Sequence, residues 1–207
     1  MKVLMINGSP NEKGCTFTAL SEVASSLAKN GVESEIVHIG KKATQGCIAC
    51  VKCNELGRCV FGNDSVNSLN ARADEFDGLI VGSPVYYAGP AGSLCSFLDR
   101  FFFSSGGKWQ HKPAACVVSC RRAGDVTAFD RLNKYFTINN MPVVSSRYWN
   151  EVHGFTPDDV RKDLEGMQVM RILGENMAWL IKCINAGKNA GISIPVHEET
   201  VFTNFIR

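Results

Sequence analysis

Short apolar runs, each leading through a turn into a stretch of helical period, recur along this chain and leave few folds open to it. Residues 3–6 (Val-Leu-Met-Ile) run into Gly8-Ser9-Pro10, which reads as a buried strand ending in a turn. Residues 16–29 then place Ala19, Leu20, Val23, Ala24 and Leu27 on one helical face, closed by Asn30-Gly31. Residues 33–39 alternate as a second strand. The pattern continues with helix 64–76 (Asp64 or Ser65 as N-cap), strand 77–82, helix 91–103, strand 113–120, helix 125–139 and strand 141–148. A long helix over 157–187, with a break expected near Gly174, follows. Strands alternating with helices at ordinary crossover lengths imply a parallel sheet covered on both faces. Five strands favour a flavodoxin-like α/β fold, a three-layer sandwich of strand order 2-1-3-4-5, over a six-stranded dinucleotide fold.

The 207 residues suit one domain, taken as 1–187, with residues 188–207 as an extended arm expected at a subunit interface. Residues 40–62 show neither period and read as an insertion after the second strand. A net charge of +2 implies no pull toward nucleic acid or an anionic membrane. The N-terminus has only four consecutive apolar residues before Asn7, and no run is long enough to span a bilayer. A cytoplasmic location is expected.

In such a sheet, ligands bind beyond the carboxyl ends of the strands, where the strand order reverses. The loop Gly8-Ser9-Pro10-Asn11-Glu12-Lys13-Gly14-Cys15-Thr16 falls there. Small and hydroxylated residues ahead of a helix offer backbone N–H groups, the positive end of the helix dipole and, at Ser9 and Thr16, hydroxyl donors suited to phosphate. The loop lacks the lysine of a Walker motif and the Gly-x-Gly-x-x-Gly of a dinucleotide site. An N-capped turn without ligand accounts for the same residues. The loop after strand 3, Ser83-Pro84-Val85-Tyr86-Tyr87-Ala88-Gly89-Pro90, sets two adjacent aromatics between prolines and a glycine. A planar heteroaromatic ligand gives them a stacking partner; a surface turn is the plainer alternative.

At these loops the chain resembles the NAD(P)H-dependent FMN reductase superfamily: Gly8-Ser9-Pro10 with Gly14-x-Thr16, then Ser83-Pro84-Val85-Tyr86-Tyr87 and the helix around Leu94, Phe97, Leu98, Asp99 and Arg100. The resemblance implies FMN, with its phosphate on Ser9, Asn11, Gly14, Cys15 and Thr16 and its ring on Pro84, Val85, Tyr86, Tyr87, Ala88 and Gly89. It implies a third contact from the loop after strand 4, through Ser119, Arg121, Arg122 and Gly124, and a homodimer or homotetramer. Cys15 departs from the family, which often carries Asn or Ser there.

Nine cysteines are many for a reducing compartment, and four fall within thirteen residues: Cys47-x2-Cys50-x2-Cys53-x5-Cys59. Thiolates at this spacing can converge on a [4Fe-4S] cluster. A structural zinc prefers two separated pairs, and a loop of reduced thiols is the third reading. The spacing resembles that of the iron–sulfur flavoproteins, a branch of the same superfamily, and that likeness implies a cluster held by Cys47, Cys50, Cys53 and Cys59. His38, His111, His153 and His197 are dispersed, with no spacing for a metal site or triad.

Together these observations predict an FMN oxidoreductase whose chemistry belongs to the cofactor, relaying electrons to the cluster. NAD(P)H or a ferredoxin-like protein is the donor that the resemblance implies. A cluster-free NAD(P)H-dependent reductase of FMN or quinone is the alternative, and a redox-sensing flavin module a more distant one.

Overall fold

The computed structural model describes residues 1–41 and 43–205; Lys42 of the inserted loop and the last two residues of the arm lie outside them. Strand β1 (Lys2–Asn7) leads into helix α1 (Cys15–Lys29) and β2 (Glu33–His38). The inserted segment holds one turn of helix, α2 (Cys53–Leu56), and is followed by α3 (Val66–Ala71) and a 3-10 turn over Ala73–Glu75. Strand β3 (Gly78–Tyr86) folds back through a two-residue strand, β4 (Gly89–Pro90), into α4 (Gly92–Phe103). Then come β5 (Ala114–Cys120), α5 (Asp125–Ile138), β6 (Glu151–His153), α6 (Pro157–Lys162) and α7 (Leu164–Asn189).

Five parallel strands lie in the order β2-β1-β3-β5-β6, with β4 paired only to β3. Counting parallel strands alone, this is the expected 2-1-3-4-5. The strand period of two divides the core into two layers. Leu4, Ile6, Leu79, Val81, Cys116 and Val118 pack on α4 through Leu94, Phe97 and Phe101 and on α5 through Leu132 and Phe136. Val3, Met5, Ile80, Ala115 and Val117 face the other way, against Leu20, Val23 and Leu27 of α1 and Met170, Leu173 and Met177 of α7. Burying one such large side chain contributes roughly 1.5–3 kcal/mol. Burial on both faces is why β1, β3 and β5 read as unbroken apolar runs.

The fifth parallel strand is not the expected 141–148. Ala114 N–H donates to Pro142 O (2.9 Å) and Val144 N–H to Ala114 O (2.8 Å), so only the start of that run meets β5. Residues 145–149 then leave the sheet, where α7 satisfies them: Asn176 Nδ2 donates to Ser145 O (2.8 Å) and Ser146 Oγ to Val169 O (2.7 Å). The chain returns as β6, with Val118 N–H donating to Asn150 O and Gly154 N–H to Cys120 O, both at 2.9 Å. This edge strand carries Glu151 and His153, so apolarity did not mark it.

Nor does the long helix break at Gly174. The interruption is at Asp163, whose carboxylate accepts the N–H groups of Gly166 (2.9 Å) and His153 (2.7 Å), while a capping box of Thr156 and Asp159 opens α6. Gly174 is where α7 meets α1: a Cβ there would stand 2.6 Å from Ser26 Cβ. Helix 64–76 is shorter than its apolar pattern, and Asp64 Oδ1 accepts Val66 N–H (3.1 Å). Past α7, residues 190–205 form no regular element, and Val196, Val201, Phe202 and Phe205 are exposed. No helix among the described residues is long and apolar enough to cross a membrane.

Candidate functional site

The loop after β1 is shaped by a residue not singled out in the sequence. Asn7 is fully buried; its Oδ1 accepts Ser9 N–H (3.1 Å) and its Nδ2 donates to Glu12 O (3.0 Å), so one amide spans the loop. His38 Nε2 adds a 2.8 Å contact to Ser9 O. Ser9 Oγ accepts Asn11 N–H (3.1 Å), which leaves its own proton to donate. Gly14 is the N-cap of α1, and no side chain caps that helix, so the first-turn N–H groups face the loop with the positive end of a fifteen-residue dipole. Thr16 turns inward: its Oγ1 lies 2.8 Å from Ser119 Oγ, both residues buried, and ties α1 to the end of β5. Cys15 Sγ points to Gly154 O at 3.8 Å, and burial raises its thiol pKa.

The loop after β3 is a two-residue hairpin. Tyr86 pairs with Gly89, and the two residues between them, Tyr87 and Ala88, both take positive φ, 50° and 58°. That geometry suits Asn-Gly, and non-glycine residues hold it at a cost of order 1–3 kcal/mol each. Tyr87 is fully exposed (108 %) at this strained tip and Tyr86 half-exposed, the reverse of what packing would select. Ser83 Oγ accepts Ala91 N–H (3.0 Å) and fixes the base of the hairpin. Gly124, at φ +91°, brings the loop after β5 against it: a Cβ there would meet Ala88 Cα at 2.8 Å. Arg121 and Arg122 stand exposed on that loop. The structure thus brings all three predicted loops to one end of the sheet.

The cysteine segment forms a second centre. Cys47, Cys50, Cys53 and Cys59 all line one open concavity, about 330 Å³ with its solvent mouth included, together with Arg100 and Phe103. Ala49 and Val51 both have φ of 52°, and Lys52 after them is right-handed. A β-branched residue at positive φ is strained, which marks a backbone held in shape by its surroundings. Burial, then the neighbouring thiols of Cys50, Cys47 and Cys59, raises the Cys53 pKa. No three of these sulfurs lie within 4.8 Å of one another.

Arg100 is the residue here that sequence reasoning missed. It is 1 % exposed, donates from Nε to Cys59 Sγ (3.2 Å), pairs with Asp64, and donates to the carbonyls of Gln45 (3.2 Å) and Phe61 (3.1 Å). It therefore fastens both ends of the inserted segment to α4. An arginine among Leu94, Phe97, Leu98 and Phe101 was the available signal. The histidines show no metal spacing along the sequence, yet tertiary structure brings His153 to Cys120 and Asp125.

Residues 1–156 match the family of NADPH-dependent FMN reductases. An iron-sulfur flavoprotein of Methanocaldococcus jannaschii is 32% identical over 192 residues, covering 89% of this chain and 99% of that protein. Among solved structures, RosB bound to 8-demethyl-8-formylriboflavin-5'-phosphate superposes with a TM-score of 0.68 at 14% identity, covering 100% of this chain and 94% of that one. A WrbA-like flavodoxin from Agrobacterium tumefaciens gives 0.62 at 17%, covering 88% and 98%.

Proposed function

The chain belongs to the NADPH-dependent FMN reductase family, alongside iron-sulfur flavoproteins, as a flavin-dependent oxidoreductase, and on that premise we propose that it relays electrons between FMN and a [4Fe-4S] cluster. Bound FMN takes electrons in pairs and a cluster takes them singly, so a chain holding both joins the two kinds of partner. The carrying observation is that all four cysteines of the insertion, and none of the other five, line a single concavity.

The cysteine spacing supports a cluster over zinc. A structural zinc prefers two separated cysteine pairs, whereas here three cysteines stand at even spacing with a fourth after them. Arg100, buried beside Cys59, donates to its sulfur and, through Asp64 and two carbonyls, holds the cysteine segment in place. At the other centre, the uncapped start of α1 and Ser9 fit a phosphate, and the exposed Tyr86-Tyr87 tip fits a flat ring. On this reading Asn11, Gly14 and Cys15 would meet the phosphate and Pro84, Val85, Ala88, Gly89, Arg121, Arg122 and Gly124 the ring, while Ser119, bonded to Thr16, braces the sheet end beneath them. NAD(P)H or a ferredoxin-like protein is the proposed donor. The exposed apolar arm supports a homodimer or homotetramer.

Iron, acid-labile sulfide and flavin, assayed on anaerobically purified protein, test this reading. About four iron and four sulfide per chain are expected, with Cys50→Ser losing both and keeping FMN. Flavin without iron after anaerobic reconstitution would instead make the chain a cluster-free NAD(P)H-dependent reductase of FMN or quinone.

A further inference from the structure

Next to the loop proposed for the flavin ring, the carboxyl ends of β5 and β6 bring together a donor set that the electron relay does not use. Cys120 and His153 are register partners in adjacent parallel strands, so their side chains leave the sheet on one face. Glu151, two residues before His153, shares that face. The chain leaves β5 through Gly124, whose φ of +91° turns it sharply into α5 and lays Asp125 of the first helical turn over the same spot. As a result Cys120 Sγ, a carboxylate oxygen of Asp125 and a ring nitrogen of His153 all lie within 4.8 Å of one another, the one such group among the described residues.

Three further observations point to a cation. His153 Nε2 faces Asp125 Oδ2 at 3.5 Å while its Nδ1 faces Asp163 Oδ2 at 3.8 Å, the arrangement in which a carboxylate behind an imidazole orients it toward a metal. Asp163 is itself fixed, accepting the N–H groups of His153 and Gly166. Glu151 Oε2 is buried with no hydrogen-bond partner, beside the Asp125 carboxyl.

We propose that Cys120, Asp125, Glu151 and His153 bind one divalent transition-metal ion of the zinc type, at the edge of the sheet and apart from the cysteine loop. One thiolate, one imidazole and carboxylate oxygens form a ligand set for zinc, not for magnesium or calcium, which prefer oxygen alone. Binding displaces the Cys120 proton to solvent as the sulfur becomes a ligand. The ion would pin β6, paired over only three residues, to β5 and to the start of α5.

The test uses the full chain, reconstituted anaerobically with FMN, iron and sulfide, equilibrated with zinc chloride, desalted and analysed for zinc, iron and flavin. His153→Gln and Asp125→Asn are each expected to hold one zinc fewer per chain than the wild type, with iron unchanged. Asp163→Asn, which replaces the carboxylate behind the imidazole by an amide that still caps the N–H of Gly166, should weaken zinc binding about 10–100-fold with the circular dichroism spectrum unchanged. Equal zinc in the wild type and His153→Gln, at any value, overturns the proposal. Iron content reports separately on the electron relay. Should either ligand variant fail to fold by circular dichroism, Asp163→Asn decides, and unchanged zinc affinity in it counts against the site.

Discussion

Replacing Arg100 by methionine, which keeps its length and apolar stem, isolates what its charge does. The side chain is 1 % exposed and its charge is shared with Asp64, 18 % exposed, with Cys59 Sγ and with two loop carbonyls. Removing one member of a buried pair leaves the other charge stranded, which costs about 3–5 kcal/mol. In a domain of this size that corresponds to a fall of about 6–20 °C in Tm. Against a total stability of about 5–15 kcal/mol, the variant should fold but lose most of its margin. Urea melts of Arg100→Met, Asp64→Asn and the double variant measure the coupling. The double variant is expected to cost about 2–3 kcal/mol less than the sum of the singles, because each single strands a charge that the double does not. Iron bound at Cys59 should fall in Arg100→Met even at temperatures where the chain stays folded. Additive costs within about 0.5 kcal/mol, or a loss below about 1 kcal/mol for Arg100→Met, would refute the view that this arginine fastens the inserted segment.

Two other perturbations follow from the same geometry. Gly124→Ala forces a side chain into left-handed backbone and against Ala88 Cα, and should lower stability by roughly 2–4 kcal/mol; a thermal melt with flavin titration checks both this loss and weaker flavin retention. Glu35 is held down to about 2 by Arg72 and then by Lys2, so its contribution is present above the unfolded value near 4.3 and fades as pH falls toward 2. Solvent screening leaves it worth about 1 kcal/mol. The stability gap between wild type and Glu35→Gln should therefore be full at pH 7 and close to nothing at pH about 2, and a gap that does not narrow contradicts the assignment.

How far the sequence reached depended on how local each interaction is. Apolar period along β1, α1, β3, α4, β5 and α5 determined that a parallel sheet would be sandwiched between helices. The reason is that burial on two faces leaves a repeating mark within a few residues of itself. Turn chemistry likewise placed the three loops at the strand ends, and the spacing of Cys47, Cys50, Cys53 and Cys59 marked a cysteine centre directly. The short strand β6 escaped because its pairing is set by β5, thirty residues earlier, and not by its own composition. Arg100 beside Cys59, Asn7 spanning the first loop and His153 beside Cys120 and Asp125 are contacts between distant segments, invisible to any period. Gly174 shows the same division: a glycine in a helix reads as a break, but it was the approach of α1, 148 residues away at Ser26, that required it to be small. Local burial and backbone chemistry were determined by the sequence alone; which charged and polar groups meet was decided only when the sheet closed and brought them together.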